Sequence, residues 1–302
     1  MDTIINALEQ GLLFALVSMG VYITYKILDF PDLSVDGTFP LGAAISGSLL
    51  VSGVNPWLSI LIAAAGGLIA GAITGLLHVK LKITNLMSGI LVMIGLYSVN
   101  LRIMGKSNVS LFNTENIFKN LKISNIVLIF IIVLICKVLL DLFLKTKKGM
   151  LLIAVGDNEQ VVSALGVNKN RIKVLGLMIS NGFVALAGAL TAQYQGFADV
   201  QMGQGTVVMG LAAVVIGISL LGKVSFVKVT TLSILGAIVY KLVVALALWL
   251  NLNPNDLKLM TAIIVVIALA SNNKFKFKKN KKGKRIKDGD GNAENSETVK
   301  GV

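Results

Sequence analysis

The chain has few of the residues from which metal centres, disulfides and catalytic clusters are built. Its 302 residues include one cysteine, Cys136, and one histidine, His78. A single cysteine cannot form an intrachain disulfide, and the two residues together offer no cluster with metal-ligand spacing. We therefore expect both to be ordinary helix residues. We predict no metal site, no catalytic residues and no cofactor held by this chain.

Charged residues are also scarce, at 14% of the chain against 55% hydrophobic. This composition excludes a soluble globular domain of this size. Stretches apolar enough to cross about 30 Å of hydrocarbon lie at residues 4–25, 57–78, 84–104, 123–144, 174–194 and 229–250. Shorter apolar segments lie at 39–53, 206–222 and 257–271. The sequence predicts an all-α, polytopic membrane protein of about nine transmembrane helices, within a range of about eight to ten.

Lysine and arginine are distributed unevenly among the predicted loops. One set of loops holds five, Arg102, Lys106, Lys119, Lys122 and Lys258, and the other holds eleven, namely Lys26, Lys80, Lys82, Lys145, Lys147, Lys148, Lys169, Arg171, Lys173, Lys223 and Lys228. The richer set is predicted to face the cytoplasm. The N-terminus has no basic leader and no cleavage pattern, so we expect a retained first helix that starts outside. Residues 272–302 are predicted to be a disordered, basic cytoplasmic tail.

A polar, glycine-bearing motif occurs twice between apolar segments, at 30–38 and at 197–206. Its flanks match at an offset of 167 or 168 residues, and the matched residues include Val17 with Val184, Thr24 with Thr191, Phe30 with Phe197, Asp32 with Asp199, and Gly42 with Gly210. The loop charges give the two copies opposite directions. We therefore predict an inverted repeat with two broken helices, in a membrane domain spanning 1–271 whose halves are about 1–144 and 174–271.

Broken helices of inverted repeats surround a solute path in membrane transporters. Three acids lie in these breaks. If the solute is a zwitterionic amino acid, we expect Asp199 to receive its ammonium and a half-helix N-terminus near Gly37 or Gly205 to receive its carboxylate. The predicted path consists of Phe30, Asp32, Ser34, Asp36, Phe39, Tyr194, Phe197, Asp199 and Met202. Lys241, near the centre of the 229–250 segment, is expected to face protein or water, either to bind solute or to form an ion pair.

The longest predicted interior loop spans about 145–173. Asp157 and Asn158 are good helix N-caps and Gly166 is a natural C-cap, so residues 158–165 are predicted to form a short helix. This helix would present Val161, Val162 and Leu165 on one flank. A short helix with apolar anchors is suited to a groove in a cytoplasmic partner, whereas a plain surface loop is the alternative.

The residues around this loop carry a specific resemblance. Gly156-x-Asn158, Ala164-x-Gly166-Val167-Asn168-x-x-Arg171-x-Lys173 and Leu186-Ala-Gly188-Ala-Leu190 resemble the branched-chain amino acid and ribose permease family. These permeases are membrane subunits of binding-protein-dependent ABC importers. The stretches 29–43 and 192–199 are most similar to the tryptophan and tyrosine permease subgroup. The resemblance covers about residues 1–271.

The resemblance implies a division of labour in a bacterial plasma membrane. Two copies of the chain would form the pathway, and an external solute-binding lipoprotein would deliver an amino-acid-like, aromatic solute. Two ATPase subunits would bind ATP and Mg²⁺, with no nucleic acid involved. They would dock at Gly156, Asp157, Asn158, Glu159, Ala164, Leu165, Gly166, Val167, Asn168 and Arg171. Gly217–Lys223 fits part of a phosphate loop, but Val224 stands where Ser or Thr is required, so the chain itself is not expected to hydrolyse ATP.

Three alternatives stay open at this point. Asp32-Leu-Ser-Val35 resembles sugar permeases, which favours a sugar or nucleoside importer of the same family. An inverted repeat also suits an ion-coupled secondary transporter that works without an ATPase. A scaffold or sensor that transports nothing is the third.

Overall fold

The computed structural model describes residues 2–120, 124–221 and 228–249, with residues 259, 262, 263 and 266 beyond them. This part of the chain is almost entirely helical. In chain order its elements are α1 Asp2–Val21, a π-helical segment Tyr22–Ile27, α2 Val35–Val51, α3 Pro56–Leu81, α4 Asn85–Met104, β1 Asn108–Ser110, α5 Ile117–Asn120, α6 Asn125–Lys145, α7 Lys147–Asp157, α8 Glu159–Ala164, α9 Lys169–Gln195, β2 Phe197–Asp199, α10 Thr206–Leu221 and α11 Val229–Trp249.

Six helical stretches are long and apolar enough to cross a membrane, which confirms an all-helical membrane protein. They are Ile4–Ile27, Pro56–Leu81, Asn85–Met104, Asn125–Lys145, Lys169–Gln195 and Val229–Ala247, and each contains most of a predicted span. Two shorter apolar helices, Val35–Val51 and Thr206–Leu220, each begin within one copy of the repeated motif. The predicted segment at 257–271 falls almost wholly outside the described residues, and the tail at 272–302 lies wholly outside them.

The long helix α9 is the centre of the fold, since it packs against α1, α2 and α3. Gly67, Gly71 and Gly75 form one face of α3, and a Cβ atom on Gly67 or Gly71 would collide with backbone carbonyl oxygens of α9. Close approach of two helix backbones requires residues without side chains at the contact. The glycine stripe therefore packs inside the chain and is not free to form a seam with a second copy.

The connecting segments gather at two ends of the helical bundle. Lys80, Lys148 and Arg171 line one cavity, so the end of α3 and the starts of α7 and α9 share one end. At the other end Gln193 of α9 donates to the hydroxyl groups of Ser46 and Ser59, each at 3.1 Å. Its side-chain oxygen accepts from the backbone N–H that begins α5 at 3.2 Å. Basic residues from distant segments thus meet at one end of the bundle.

The segment at 145–173, predicted as a loop, is mostly helical. Helix α7 occupies Lys147–Asp157, with the Thr146 hydroxyl accepting from the Gly149 N–H at 3.2 Å as its N-cap. Leu152 and Val155 are buried on one face of this helix. The prediction overlooked α7 because the segment is too short to span a membrane, but three-residue spacing of buried apolar residues is typical of an amphipathic surface helix.

Candidate functional site

The first break, residues 28–34, is anchored to α9 by Asp32. One carboxylate oxygen accepts from the Ser34 N–H at 2.9 Å and the other from the Asn181 side-chain amide at 2.8 Å. The Ser34 hydroxyl donates to the Asn181 side-chain oxygen at 3.2 Å. Asp32, Ser34 and Asn181 are all buried. Phe30 is buried too and meets His78 edge-on, with ring centroids 5.2 Å apart. The hydrogen bonds of Asp32 and Ser34 thus hold the break in place.

Asp36 joins the two copies of the repeated motif. It lies in the first turn of α2, and its carboxylate accepts from the Gly205 N–H at 3.0 Å and the Val207 N–H at 2.8 Å. Gly205 has φ +80°, a left-handed conformation suited to glycine. The carboxylate therefore caps the positive N-terminus of α10. These N–H groups are already occupied, so they do not offer the predicted receptor for a solute carboxylate near Gly205.

The second break contains a strand that the sequence did not reveal. Strand β2 pairs antiparallel with β1, placing Phe197 opposite Ser110 and Asp199 opposite Asn108. One oxygen of Asp199 accepts from the Gln201 N–H at 2.7 Å and the other from the Asn108 side-chain amide at 3.1 Å. Asp199 is only half-buried. Its described contacts hold a turn and a strand pair together.

A cavity of about 520 Å³ lies where the start of α2, helix α4 and the second break meet. Asp36, Tyr97, Gln201 and Gln204 contribute polar groups to its lining. Asn100, also in the lining, is buried and donates to the Gly37 carbonyl at 3.2 Å. Among the described residues its side-chain oxygen has no hydrogen-bond partner. A mostly apolar cavity with a few converging polar groups is typical of a small-molecule site.

A second cavity, of about 130 Å³, lies between α1, α9, α10 and α11 and contains Lys241. Phe39 and Met202 of the predicted path line it. The Lys241 ammonium lies 5.2 Å from the centroid of the Phe14 ring. A lysine near the centre of a membrane helix costs about 2.5–3.5 kcal/mol on insertion scales, and a cation–π contact offsets about 0.5–2 kcal/mol. The contact with Phe14 therefore offsets only part of this cost.

Tyr194 pairs with an acid that the sequence analysis overlooked. Its hydroxyl donates to the Glu9 carboxylate at 2.6 Å, and its ring meets Phe118 edge-on at 5.6 Å. Glu9 lies in α1 and is only 5% exposed. The signal that could have identified Glu9, Asn100 and Asn181 is their position as polar residues within or next to apolar spans, where such residues pack inward.

Helix α8 confirms the predicted short helix and its caps. The Asn158 side chain accepts from the Gln160 and Val161 N–H groups at 3.0 and 3.2 Å, and Gly166 has φ +73°. The predicted flank is wrong in one residue, because Val161 and Leu165 are 55% and 72% exposed whereas Val162 is buried. Residues four apart share a helix face, and a neighbour points about 100° away.

Glu159 ties α8 to the start of α9. Its carboxylate forms ion pairs with Lys169 at 3.0 Å and with Lys173. Burial alone would raise the pKa of the Glu159 carboxyl, but hydrogen bonds and charge from the two lysines hold it below its ordinary value. Gly156 links the segment to the first break, since a Cβ there would collide with the Ile27 carbonyl oxygen. Helix α7 therefore lies directly against the end of the π-helical segment.

The remaining predicted docking residues lie at the surface beside α8. Asp157, Ala164 and Leu165 are exposed, and Val167 is half-buried. Asn168 caps α9 by accepting from the Asn170 and Arg171 N–H groups at 3.1 and 3.3 Å. Within residues whose side chains are described, no group of three His, Cys, Asp or Glu residues could hold a metal ion.

Comparison with known proteins identifies the family. The family described as "Branched-chain amino acid transport system / permease component" matches residues 3–270. A tyrosine transport system permease protein of Clostridioides difficile is 52% identical over 248 residues, covering 82% of this chain and 84% of the relative. The ribose import permease protein of Escherichia coli K12 is 26% identical over 224 residues, covering 72% and 69%. A fructose import permease protein of Bifidobacterium longum is 30% identical over 227 residues, covering 72% and 64%.

No solved structure matches the chain. The match over nearly the whole membrane region confirms the resemblance inferred from the 29–43, 156–173 and 192–199 motifs. The family consists of transport subunits and not of enzymes. The chain belongs to the permease family of ABC importers that includes the branched-chain amino acid and ribose permeases.

Proposed function

We propose that the chain is the membrane-spanning subunit of an importer for a small, aromatic amino acid such as tyrosine or tryptophan. The observation that carries this proposal is the 52% identity to a tyrosine transport system permease protein over 82% of the chain. Similarity to the ribose and fructose permeases is lower, at 26% and 30%. A sugar or nucleoside substrate is therefore the second candidate.

The proposed architecture is an inverted repeat of nine crossings over 1–271, with repeat halves about 1–144 and 174–271. In support, the two breaks begin at opposite ends of the bundle: Ile27 lies against Gly156 at the basic end, and Phe197 pairs with Ser110 at the other. We propose that the basic end faces the cytoplasm, because positive loops stay inside. The N-terminus would then lie outside, and a ninth crossing at 257–271 would bring the C-terminal tail inside.

The proposed solute path runs through the two cavities beside the breaks. Asp36, Phe39 and Met202 line these cavities. The other six predicted path residues, Phe30, Asp32, Ser34, Tyr194, Phe197 and Asp199, would act chiefly by holding the breaks in shape. The contact of Asp36 with the start of α10 supports this proposal, because these hydrogen bonds connect the two breaks and would transmit a displacement of one to the other.

The proposed energy source is ATP hydrolysed, with Mg²⁺, by two separate subunits that dock on α8 and its flanking residues. Val161 and Leu165 form an exposed apolar pair on one face of α8, as an anchor in a partner groove requires. The adjacent contact between Gly156 and Ile27 would carry the partner's movement to the first break. A second copy of the chain and an external solute-binding lipoprotein would complete the importer in a bacterial plasma membrane.

The proposal is tested by purifying the chain from its native membrane with its bound subunits and reconstituting them in liposomes. We expect ATP-dependent uptake of labelled tyrosine or tryptophan when the solute-binding protein is present. Uptake of ribose alone would support the sugar alternative. Uptake driven by an ion gradient, without ATP, would support a secondary transporter, and no uptake of any solute would support a scaffold.

Docking on α8 is tested with Val161→Asp and a matched control, Gln160→Asp. Both residues are exposed on the same short helix, but only Val161 is apolar. We expect V161D to lose the ATPase subunits during purification and Q160D to retain them. Equal retention by both variants would contradict docking at this face.

The role of Asp199 is tested by comparing Asp199→Asn with Asn108→Ala. Both changes weaken the side-chain contact between β1 and β2, but only D199N removes a negative charge. If Asp199 binds the solute ammonium, D199N loses uptake while N108A keeps it. An equal loss in both variants would mean that Asp199 acts only by holding the strand pair.

A further inference from the structure

The ammonium of Lys241 has no acidic partner in the part of the chain with described side chains. The ion pairs there involve Lys137, Lys169, Lys173 and Lys228 and leave Lys241 unpaired. The Lys241 ammonium lies over the face of the Phe14 ring, 5.2 Å from the ring centroid. An unpaired cation in a membrane helix is rare unless it serves a ligand or an ion path. The structure thus favours the first of the two roles expected for this residue.

Five helices, α1, α2, α9, α10 and α11, contribute residues to the cavity around Lys241. Gly11 of α1 lets α11 approach closely beside Lys241, since a Cβ there would lie only 3.0 Å from the Ile238 Cα. Besides the ammonium, the polar lining of the cavity includes the side-chain amides of Gln10 and Gln195, which carry N–H donors, and the hydroxyl of Thr191, which donates to the Ala187 carbonyl at 2.7 Å. Gln10 is exposed and the others are half-buried. A cation with neutral donors and no lining carboxylate is suited to an anion.

The cavity size limits what the site can hold. At about 130 Å³ it is close to the volume of about 150 Å³ that admits benzene in a protein interior. This space accepts a carboxylate and a few attached atoms but not a complete aromatic amino acid. The apolar side chains of Phe39 and Met202 also line the cavity. An aromatic ring attached to the anionic group would therefore have to extend beyond the cavity.

We propose that the Lys241 ammonium binds the α-carboxylate of the solute as it passes between α1, α9 and α11. The proposal deepens the proposed function and rests on it for the identity of the solute. A carboxylate and an inorganic anion share the chemistry that a lysine recognises. Of the two carboxylate receptors expected near Gly37 and Gly205, the one at the start of α10 is occupied by the carboxylate of Asp36, and the Gly37 N–H donates to the Ser34 carbonyl at 2.9 Å. Lys241 is thus the free cationic group of the described cavities beside the breaks.

Binding is tested directly on the purified full-length chain with chloride and acetate as probes. The excess ³⁵Cl NMR linewidth of chloride is measured for the wild type, for Lys241→Met and for Lys241→Arg, and acetate is then added. We expect broadening with the wild type and K241R, reversal by acetate, and no broadening with K241M. Broadening that depends on Lys241 but resists acetate would assign the site to inorganic anions only and overturn the carboxylate assignment. No dependence on Lys241 would overturn the site itself.

Transport is tested in the reconstituted importer. We expect K241M to lower tyrosine uptake at least tenfold and K241R to retain most of it. The thermal midpoint of K241M should equal or exceed that of the wild type, because an unpaired charge has been removed. A lower midpoint with unchanged uptake would mean that Lys241 only packs on Phe14. If the wild type transports no amino acid, the proposed function fails, while the chloride and acetate experiment still decides whether Lys241 binds carboxylates.

Discussion

Replacing Asp36 by asparagine should loosen the junction between the two breaks. Its carboxylate accepts two backbone N–H groups at the start of α10, at 2.8 and 3.0 Å. An asparagine side chain has one acceptor oxygen, and its NH₂ group would face the second N–H. The variant therefore loses one hydrogen bond to a charged group, at about 1.5–3 kcal/mol. It also loses a charge at a helix N-terminus, at about 0.3–1 kcal/mol.

We therefore expect D36N to lower the free energy of unfolding by about 2–4 kcal/mol. For a protein of this size each kcal/mol changes the melting temperature by about 2–4 °C, so the midpoint should fall by about 4–16 °C. The assay is thermal unfolding of the detergent-purified chain, followed by tryptophan fluorescence. The change must also appear as faster backbone hydrogen exchange in residues 205–210, because α10 loses its cap.

The matched control is Asp29→Asn. Asp29 lies in the first break, is exposed, and has φ 51°, a left-handed conformation that asparagine also tolerates. The same chemical change there should shift stability by less than about 0.5 kcal/mol. If D36N and D29N have the same melting temperature, the Asp36 carboxylate does not stabilise α10 and the argument for coupled breaks is refuted.

Two further predictions concern packing and pH. Gly42→Ala should destabilise the chain by about 1–3 kcal/mol, because the new Cβ would collide with the Ala185 carbonyl oxygen. The control is Gly95→Ala, which has no atom within 4 Å of the new Cβ and should be neutral or stabilising by up to about 1 kcal/mol. Equal melting temperatures for G42A and G95A would contradict the packing argument. The pKa of Glu159 lies below its ordinary value of 4.5 because of its two lysine partners. The stabilisation that the Glu159 ion pairs give to the fold is therefore complete above pH 4.5 and is lost as the pH falls through the lowered pKa. The protection of the α8 amide hydrogens, measured against their intrinsic exchange rates at each pH, should fall over that range in the wild type and not in Glu159→Gln.

Much of the helical architecture was predictable because membrane spans depend on length and local composition. The predicted span 57–78 corresponds to Pro56–Leu81, and 84–104 corresponds to Asn85–Met104. Where the prediction missed the start of α9 by five residues, at Lys169 instead of 174, the cause is Asn168, which caps a helix that begins outside the apolar run. Short-range capping rules placed α8 for the same reason, since its caps lie next to it in sequence.

The candidate site was only partly predictable. The repeated motif identified Asp32, Asp36 and Asp199 as polar residues in breaks, and the structure places Asp32 and Asp199 there, whereas Asp36 lies in the first turn of α2. Their partners come from far along the chain: the Asp36 contact joins residues 171 positions apart, and Asp199 meets Asn108 across 91 positions. Periodicity and spacing carry no information about such contacts. The sequence therefore could not separate acids that hold a break from acids that line a cavity.

The scarcity of charged residues and the apolar runs by themselves determined that this is a helical membrane protein, and the repeated motif located its two interrupted regions, because the hydrocarbon core imposes its rules on each segment separately. Only the tertiary structure decided that Asp36 caps α10, that Val162 is buried in a helix whose Val161 is exposed, and that Lys241 faces a cavity without an acidic partner among the described residues. These outcomes depend on how helices distant in sequence pack against one another, and packing is set by shape and burial that no single segment encodes.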